Sequence, residues 1–256
     1  TVLIVAIASV MPGAAAWADE PAQAVYSPFG PARQEHDPAA VFSTSNSIGS
    51  IIGLPDGRVF TWIARGKRDT PTDAANSDLL QQCFGRWSAD GGSTWSQPQW
   101  LFDFPKTTGV RYDGVSLVDR DGVLHLFGLD FHALDIPHAD PAKSRIDLYH
   151  VTSPDLGQTW SPIQRIDFGH TTDGMCNTVI QLRNGRIVLP VPYLSTRVTG
   201  KWVSTCVYSD DGGKTWQRSK SDLVVDSGHR DVESGACEPV VLELKDGRIW
   251  MLIRTQ

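Results

Sequence analysis

Glu238 and Arg254 stand on either side of an Asp246-Gly247 dipeptide, one eight residues before Asp246 and the other eight after it. Asp-Gly between apolar residues is a strong hairpin signal. Closing a hairpin there brings Glu238 and Arg254 to the same far end of two paired strands. A carboxylate in that position can polarise or deprotonate a neighbour. A guanidinium beside it can hold an acidic ligand through two parallel hydrogen bonds. An ordinary ion pair across a hairpin fits the same spacing.

Three further carboxylates recur in a fixed setting. Ser88 to Trp95, Ser153 to Trp160 and Ser209 to Trp216 all read S-x-D-x-G-x-T-W, with Asp90, Asp155 and Asp211 at the third position. An Asp there can accept hydrogen bonds from turn backbone N–H groups, and the second Gly can take a left-handed conformation. These three Asp residues are therefore assigned a structural role, with each Trp pinning its turn onto the blade.

The elements that carry these residues follow from a second, interleaved pattern. Leu54-Pro55-Asp56-Gly57-Arg58 resembles Leu244-Lys245-Asp246-Gly247-Arg248, with looser copies at 119–123 and 182–188. The turn glycines fall at 57, 122, 185 and 247, with steps of 65, 63 and 62 residues. Each unit of about sixty residues thus holds two hairpins, a four-stranded sheet, and such sheets repeated around an axis form a β-propeller. Both central positions of the Asp-Gly turns are expected at positive φ. Nine Trp, 23 Gly and 16 Pro agree with many short strands and turns.

The octet resembles the Asp box, and the repeat as a whole resembles the sialidase/neuraminidase superfamily of six-bladed propellers, over nearly all of residues 41–256. The resemblance implies an all-β fold, with about three and a half blades in this chain and two to three more outside it. It implies an exo-glycosidase that removes sialic acid or a related acidic sugar with retention, through a Tyr nucleophile. The segment from Glu238 to Arg254 is similar to the family stretch in which a Glu polarises that Tyr and an Arg binds the substrate carboxylate. A Tyr nucleophile departs from the usual two-carboxylate scheme, and a neutral nucleophile avoids repulsion by the substrate's own carboxylate.

The same resemblance places an acid/base Asp on the loop from Gly66 to Asp78, where Asp73 comes first, then Asp78, with Asp69 also present. The family's first-blade Arg-Ile-Pro is here Ser47-Ile48-Gly49, so one arginine of the expected triad is missing; Arg65 is the candidate that could compensate. None of Tyr26, Tyr112, Tyr149, Tyr193 and Tyr208 occupies the nucleophile's place, which puts that residue outside the chain. Asp113 and Asp130 fall on the same rim of the second blade. His132, His138, His170 and His229 read as loop residues without metal-ligand spacing. The rival reading is a non-catalytic Asp-box propeller that binds glycans or proteins.

Residues 1–18 read as a signal peptide whose basic start is missing: an apolar run from Val2 to Val10, then Ala16-Trp17-Ala18. Residues 19–40 form a lead-in and 41–256 the partial propeller. The expected location is secreted or periplasmic. A net charge of −6 argues against nucleic-acid or anionic-membrane partners; the implied partner is a sialylated or related glycan, and the chemistry calls for no metal or organic cofactor. Cys83, Cys176, Cys206 and Cys237 allow three full pairings, and the sequence favours neither a disulfide nor buried thiols.

Overall fold

The computed structural model describes residues 2–4, 50–64, 82–104, 110–133, 142–172, 177–195, 202–225 and 235–255. All of its regular elements are β-strands, beginning with β1 (Val2–Ile4), which returns below as an edge strand. Blade 1 runs β2 (Ile52–Gly53), β3 (Val59–Ala64), β4 (Gln82–Ser88) and β5 (Gln99–Asp103). Blade 2 runs β6 (Val110–Val118), β7 (Leu124–Ala133), β8 (Arg145–Ser153) and β9 (Gln164–Ile166). Blade 3 runs β10 (Ile180–Gln181), β11 (Ile187–Leu194), β12 (Trp202–Ser209) and β13 (Gln217–Arg218), with β14 (Leu223–Val224) also paired to β12. The last sheet joins β15 (Cys237–Glu243) to β16 (Ile249–Arg254), and β1 lies parallel to β16. Each full blade is an antiparallel meander, so the chain carries the three and a half propeller blades that its repeats predict.

The Asp-Gly turns differ from expectation in one respect. Gly57, Gly122, Gly185 and Gly247 have φ of 80–95°, whereas the residue before each is not left-handed. Gly57 N donates to Leu54 O at 3.0 Å and Leu54 N to Arg58 O at 2.7 Å. The loop is therefore one residue longer than a two-residue hairpin, and only its closing Gly needs positive φ.

Burial follows the layering. Every residue of β11 is buried, because the second strand of a blade has neighbouring blades on both faces. Phe60, Trp62, Phe102, Leu124, Leu126 and Val151 fill the space between blades 1 and 2. Phe127, Leu129, Ile187, Leu189, Val203 and Val207 do so between blades 2 and 3. Cys83 and Cys237 are buried thiols, and Cys206 is a half-buried one that burial pushes up to about 12.

Polar contacts add direction to this packing. Arg120 reaches the next blade's turn, donating to the carbonyls of Leu182 and Arg183. Arg183 repeats the contact one blade on, to the carbonyls of Leu244 and Lys245, while its backbone N–H donates to Glu243 Oε2 at 2.9 Å. Deeper inside, a chain of side chains crosses from blade 2 towards blade 3. Asp119 Oδ2 lies 3.2 Å from His125 Nε2, and His125 Nδ1 lies 3.0 Å from His150 Nε2. His150 Nδ1 lies 3.4 Å from Gln164 Oε1, whose amide donates to Lys214 O at 2.9 Å. Both imidazoles are fully buried.

Candidate functional site

The three octets fold alike. Asp90, Asp155 and Asp211 each accept from the backbone N–H of the following Thr at 2.8 Å, through Oδ1. Their Oδ2 atoms accept from the same Thr hydroxyls at 2.6–2.7 Å. Each leading Ser hydroxyl donates to the Asp and accepts from the Gly N–H. Bonds to the ionised form hold all three carboxyls down to about 2. The aromatic rings differ from expectation: Trp160 packs on Phe60 and Phe102 of blade 1, and Trp216 on Phe127 and His150 of blade 2. In these two octets the Trp thus packs its turn against the preceding blade. In the second octet the first glycine is replaced by Leu156, which keeps a φ of 56°.

At the opposite ends of the strands, Glu238 and Arg254 meet. Backbone pairing sets Cys237 against Arg254, then slips by a bulge before Val240 pairs with Leu252. Arg254 Nη1 lies 3.3 Å from Glu238 Oε1, with 41% and 28% of the two side chains exposed. Glu238 has a φ of 47°, a left-handed conformation that costs a residue bearing a Cβ about 1–2 kcal/mol. Bulges of this kind re-aim a side chain.

Blade 3 holds that bulge in place. Gly235 forms a parallel bridge with Trp202, and Ala236 N donates to Trp202 O at 3.0 Å. A Cβ on Gly235 would lie 2.4 Å from Trp202 O, and its φ is 113°, so only glycine fits. The buried Ser204 hydroxyl donates to Ala236 O at 2.8 Å. Val241 N donates to Thr178 Oγ1 at 3.2 Å.

The other candidates fall in different places. Arg65, Asp69, Asp73, Asp78 and Ser47 lie outside the described residues, as do Cys176, His138 and His229. Asp113 and Asp130 lie in β6 and β7, in the rim-side half of blade 2. His132 belongs to β7 rather than to a loop: its Nε2 sits 3.3 Å from Asp130 and 3.4 Å from Asp147. Arg145 and Arg165 both reach Asp147, at 2.9 and 3.0 Å. Tyr193 donates to Asp222 and accepts from Arg218, both at 3.0 Å, and His170 stacks on its ring at 4.0 Å. Burial, then Asp222, pushes its phenol pKa up, the reverse of what an activated phenolate needs.

The BNR repeat-like domain family matches residues 86–256. A sialidase of Micromonospora viridifaciens is 30% identical over 223 residues, which is 79% of this chain and 31% of the relative. The chain belongs to the sialidase superfamily of BNR-repeat proteins. It spans about a third of the length of that relative.

Solved structures agree on the sialidase-superfamily fold. A Dyadobacter fermentans protein of unknown function aligns over 82% of this chain and 62% of its own, at a TM-score of 0.60 and 19% identity. The Trypanosoma rangeli sialidase bound to the inhibitor DANA aligns over 84% and 35%, at 0.55 and 17%. The NanB sialidase of Streptococcus pneumoniae aligns over 90% and 50%, at 0.54 and 16%.

Nothing in the sequence pointed to the residues that brace the Glu238–Arg254 hairpin, save one glycine. Gly235, Trp202 and Ser204 belong to an inter-blade bridge, and the one available signal was a glycine three residues before the candidate Glu. No sequence motif links Arg145 and Arg165, which converge on Asp147 from separate strands of blade 2.

Proposed function

We propose that the protein carrying this chain is an exo-glycosidase of sialidase type, which hydrolyses terminal sialic acid or a related acidic sugar with retention. Glu238 polarises a Tyr nucleophile supplied by chain beyond residue 256. Arg254 takes the substrate carboxylate, whose oxygens replace Glu238 on one edge of the guanidinium fork. Asp73, or failing it Asp78, protonates the leaving oxygen and then activates the water that releases the sugar. Arg65 adds a second positive charge in the absence of an arginine at Ser47. The reading takes the protein to be exported.

The observation that carries this reading is the Glu238–Arg254 pair at 3.3 Å, with the Glu in a strained left-handed conformation on a bulge braced by another blade. Surface ion pairs across hairpins do not require such strain; functional groups commonly do. Glu238→Gln is expected to lower turnover of a fluorogenic sialoside by about 10²–10⁴-fold with KM little changed. Unchanged turnover would overturn the assignment.

Ser47 supports a second reading, a propeller that binds glycans without cleaving them, since the superfamily's arginine is lost there. A protein that binds a sialoside through Arg254 and shows no turnover to lose would decide for it.

A further inference from the structure

The face that carries the Asp-Gly and Asp-box turns, at the other end of the strands from Glu238 and Arg254, holds a groove of about 510 Å³ between blades 1 and 2. Its size falls within the range of small-molecule sites, about 300–1,000 Å³. Trp87 and Trp100 contribute aromatic surface, Gln99 and Gln158 contribute amides, and Arg58 lies at its edge.

Two features fix the aromatic surface. The pairing of β4 with β5 slips by one residue between Cys83 and Phe84, so Leu101 and Phe102 are both buried while Trp100 stays 57% exposed. The Trp100 indole N–H donates to Asp103 Oδ1 at 2.9 Å, and that of Trp87 to Leu156 O at 3.4 Å. Both rings are held before any ligand arrives, which lowers the entropy cost of binding.

The charge of the lining selects the ligand. Arg58 is engaged by Asp56, with Nε at 2.7 Å and Nη2 at 2.6 Å from the same oxygen. Its positive charge is thereby compensated within its own turn. The groove offers aromatic faces and amide donors and acceptors, with no uncompensated cation to receive a phosphate or carboxylate. A pyranose is complementary to that surface: an apolar C–H face for an indole, and hydroxyls around its edge for the amides. We propose that this groove binds a neutral pyranose unit of a glycan, as a second sugar site independent of Glu238 and Arg254.

The test is a titration of ¹⁵N-labelled protein with lactose and, separately, with N-acetyllactosamine, following the Trp87 and Trp100 indole resonances. Saturable shifts of both are expected, with Trp100→Ala and Gln158→Ala each weakening binding about tenfold or more. Glu238→Gln should leave the response unchanged, so failure at the groove and failure at the rim are read separately. Absence of a saturable shift with either sugar, or binding that survives both groove substitutions, would overturn the proposal. So would binding abolished by Glu238→Gln, which would assign the sugar to the rim.

Discussion

Acidification should destabilise this propeller well above the pH at which its Asp-box carboxylates titrate, and His150 is the residue that sets the effect. Burial pushes its pKa from 6.5 down to about 3, and the neighbouring His125 adds to the shift. His125 is also lowered, chiefly by burial, against an opposing pull from Asp119. The sign follows from proton counting. Between about pH 3 and 6.5 the unfolded chain holds a proton on residue 150 that the folded chain does not, so stability rises with pH across that window and is flat above it. The slope is about 1.4 kcal/mol per pH unit. Lowering the pH from 8 to 5 therefore costs about 2 kcal/mol through His150 alone, with a further loss of the same sign through His125. The Asp-box carboxyls, held at about 2, lose their contribution only as pH falls from about 3.8 towards 2, outside this range. Urea titrations followed by tryptophan fluorescence at pH 8, 6.5 and 5 measure the effect. His150→Gln keeps a polar amide in the chain between His125 and Gln164 but cannot titrate, so the difference between pH 8 and pH 5 should shrink by about 2 kcal/mol. The same pH dependence in the wild type and the variant would refute the reasoning.

Substitutions at Gly213, Gly212 and Arg183 probe the contacts between blades. Gly213→Ala places a Cβ 2.6 Å from His150 Cε1 at a φ of 86°, whereas at Gly212 (φ 71°) the space is open. Gly212→Ala is then expected to cost about 1–2 kcal/mol for backbone strain alone, and Gly213→Ala about 1–3 kcal/mol more through crowding of the imidazole; Tm values that do not differ between the two would count against a tight fit there. Arg183→Ala removes the donors to Leu244 and Lys245 and is expected to cost about 1 kcal/mol, given how exposed the side chain is. Arg183→Lys should recover only part of this, since a point charge cannot reproduce the fork; full recovery in urea melts would show that charge alone suffices.

Much of the fold was legible because the repeat states it locally. Each Asp-Gly or Asn-Gly pair and each octet marks a turn whose backbone needs are met by its own residues, so four such pairs and three octets in register fix strand order and sheet count. What crosses between blades was not legible. Trp160 and Trp216 look like turn anchors within their own hairpins, yet they pack on the preceding blade, and nothing within the octet encodes where its neighbour sits. His125 and His150 are 25 residues apart and meet only because they lie on paired strands facing the same interface. The Glu238–Arg254 meeting was readable because a short hairpin alone delivers it. The strain at Glu238 was not, because it depends on a bulge and on the contact with β12.

That dependence changes what kind of object the candidate site is. Two residues at the end of an isolated hairpin would exchange among many rotamers, and an exposed ion pair contributes too little to hold them. Here Gly235 and Ala236 are fastened to Trp202, and the hydroxyl of Ser204 fixes the carbonyl of Ala236 two residues before Glu238. Val241 is tied on the other side to Thr178. The left-handed backbone at Glu238 is thus bounded by fixed points on both sides, and both lie in or beside blade 3. The carboxylate is aimed by the neighbouring blade rather than by its own, so packing between blade 3 and the β15–β16 sheet bears directly on the geometry of the pair. A propeller that loosened at that junction would keep both residues and lose their alignment.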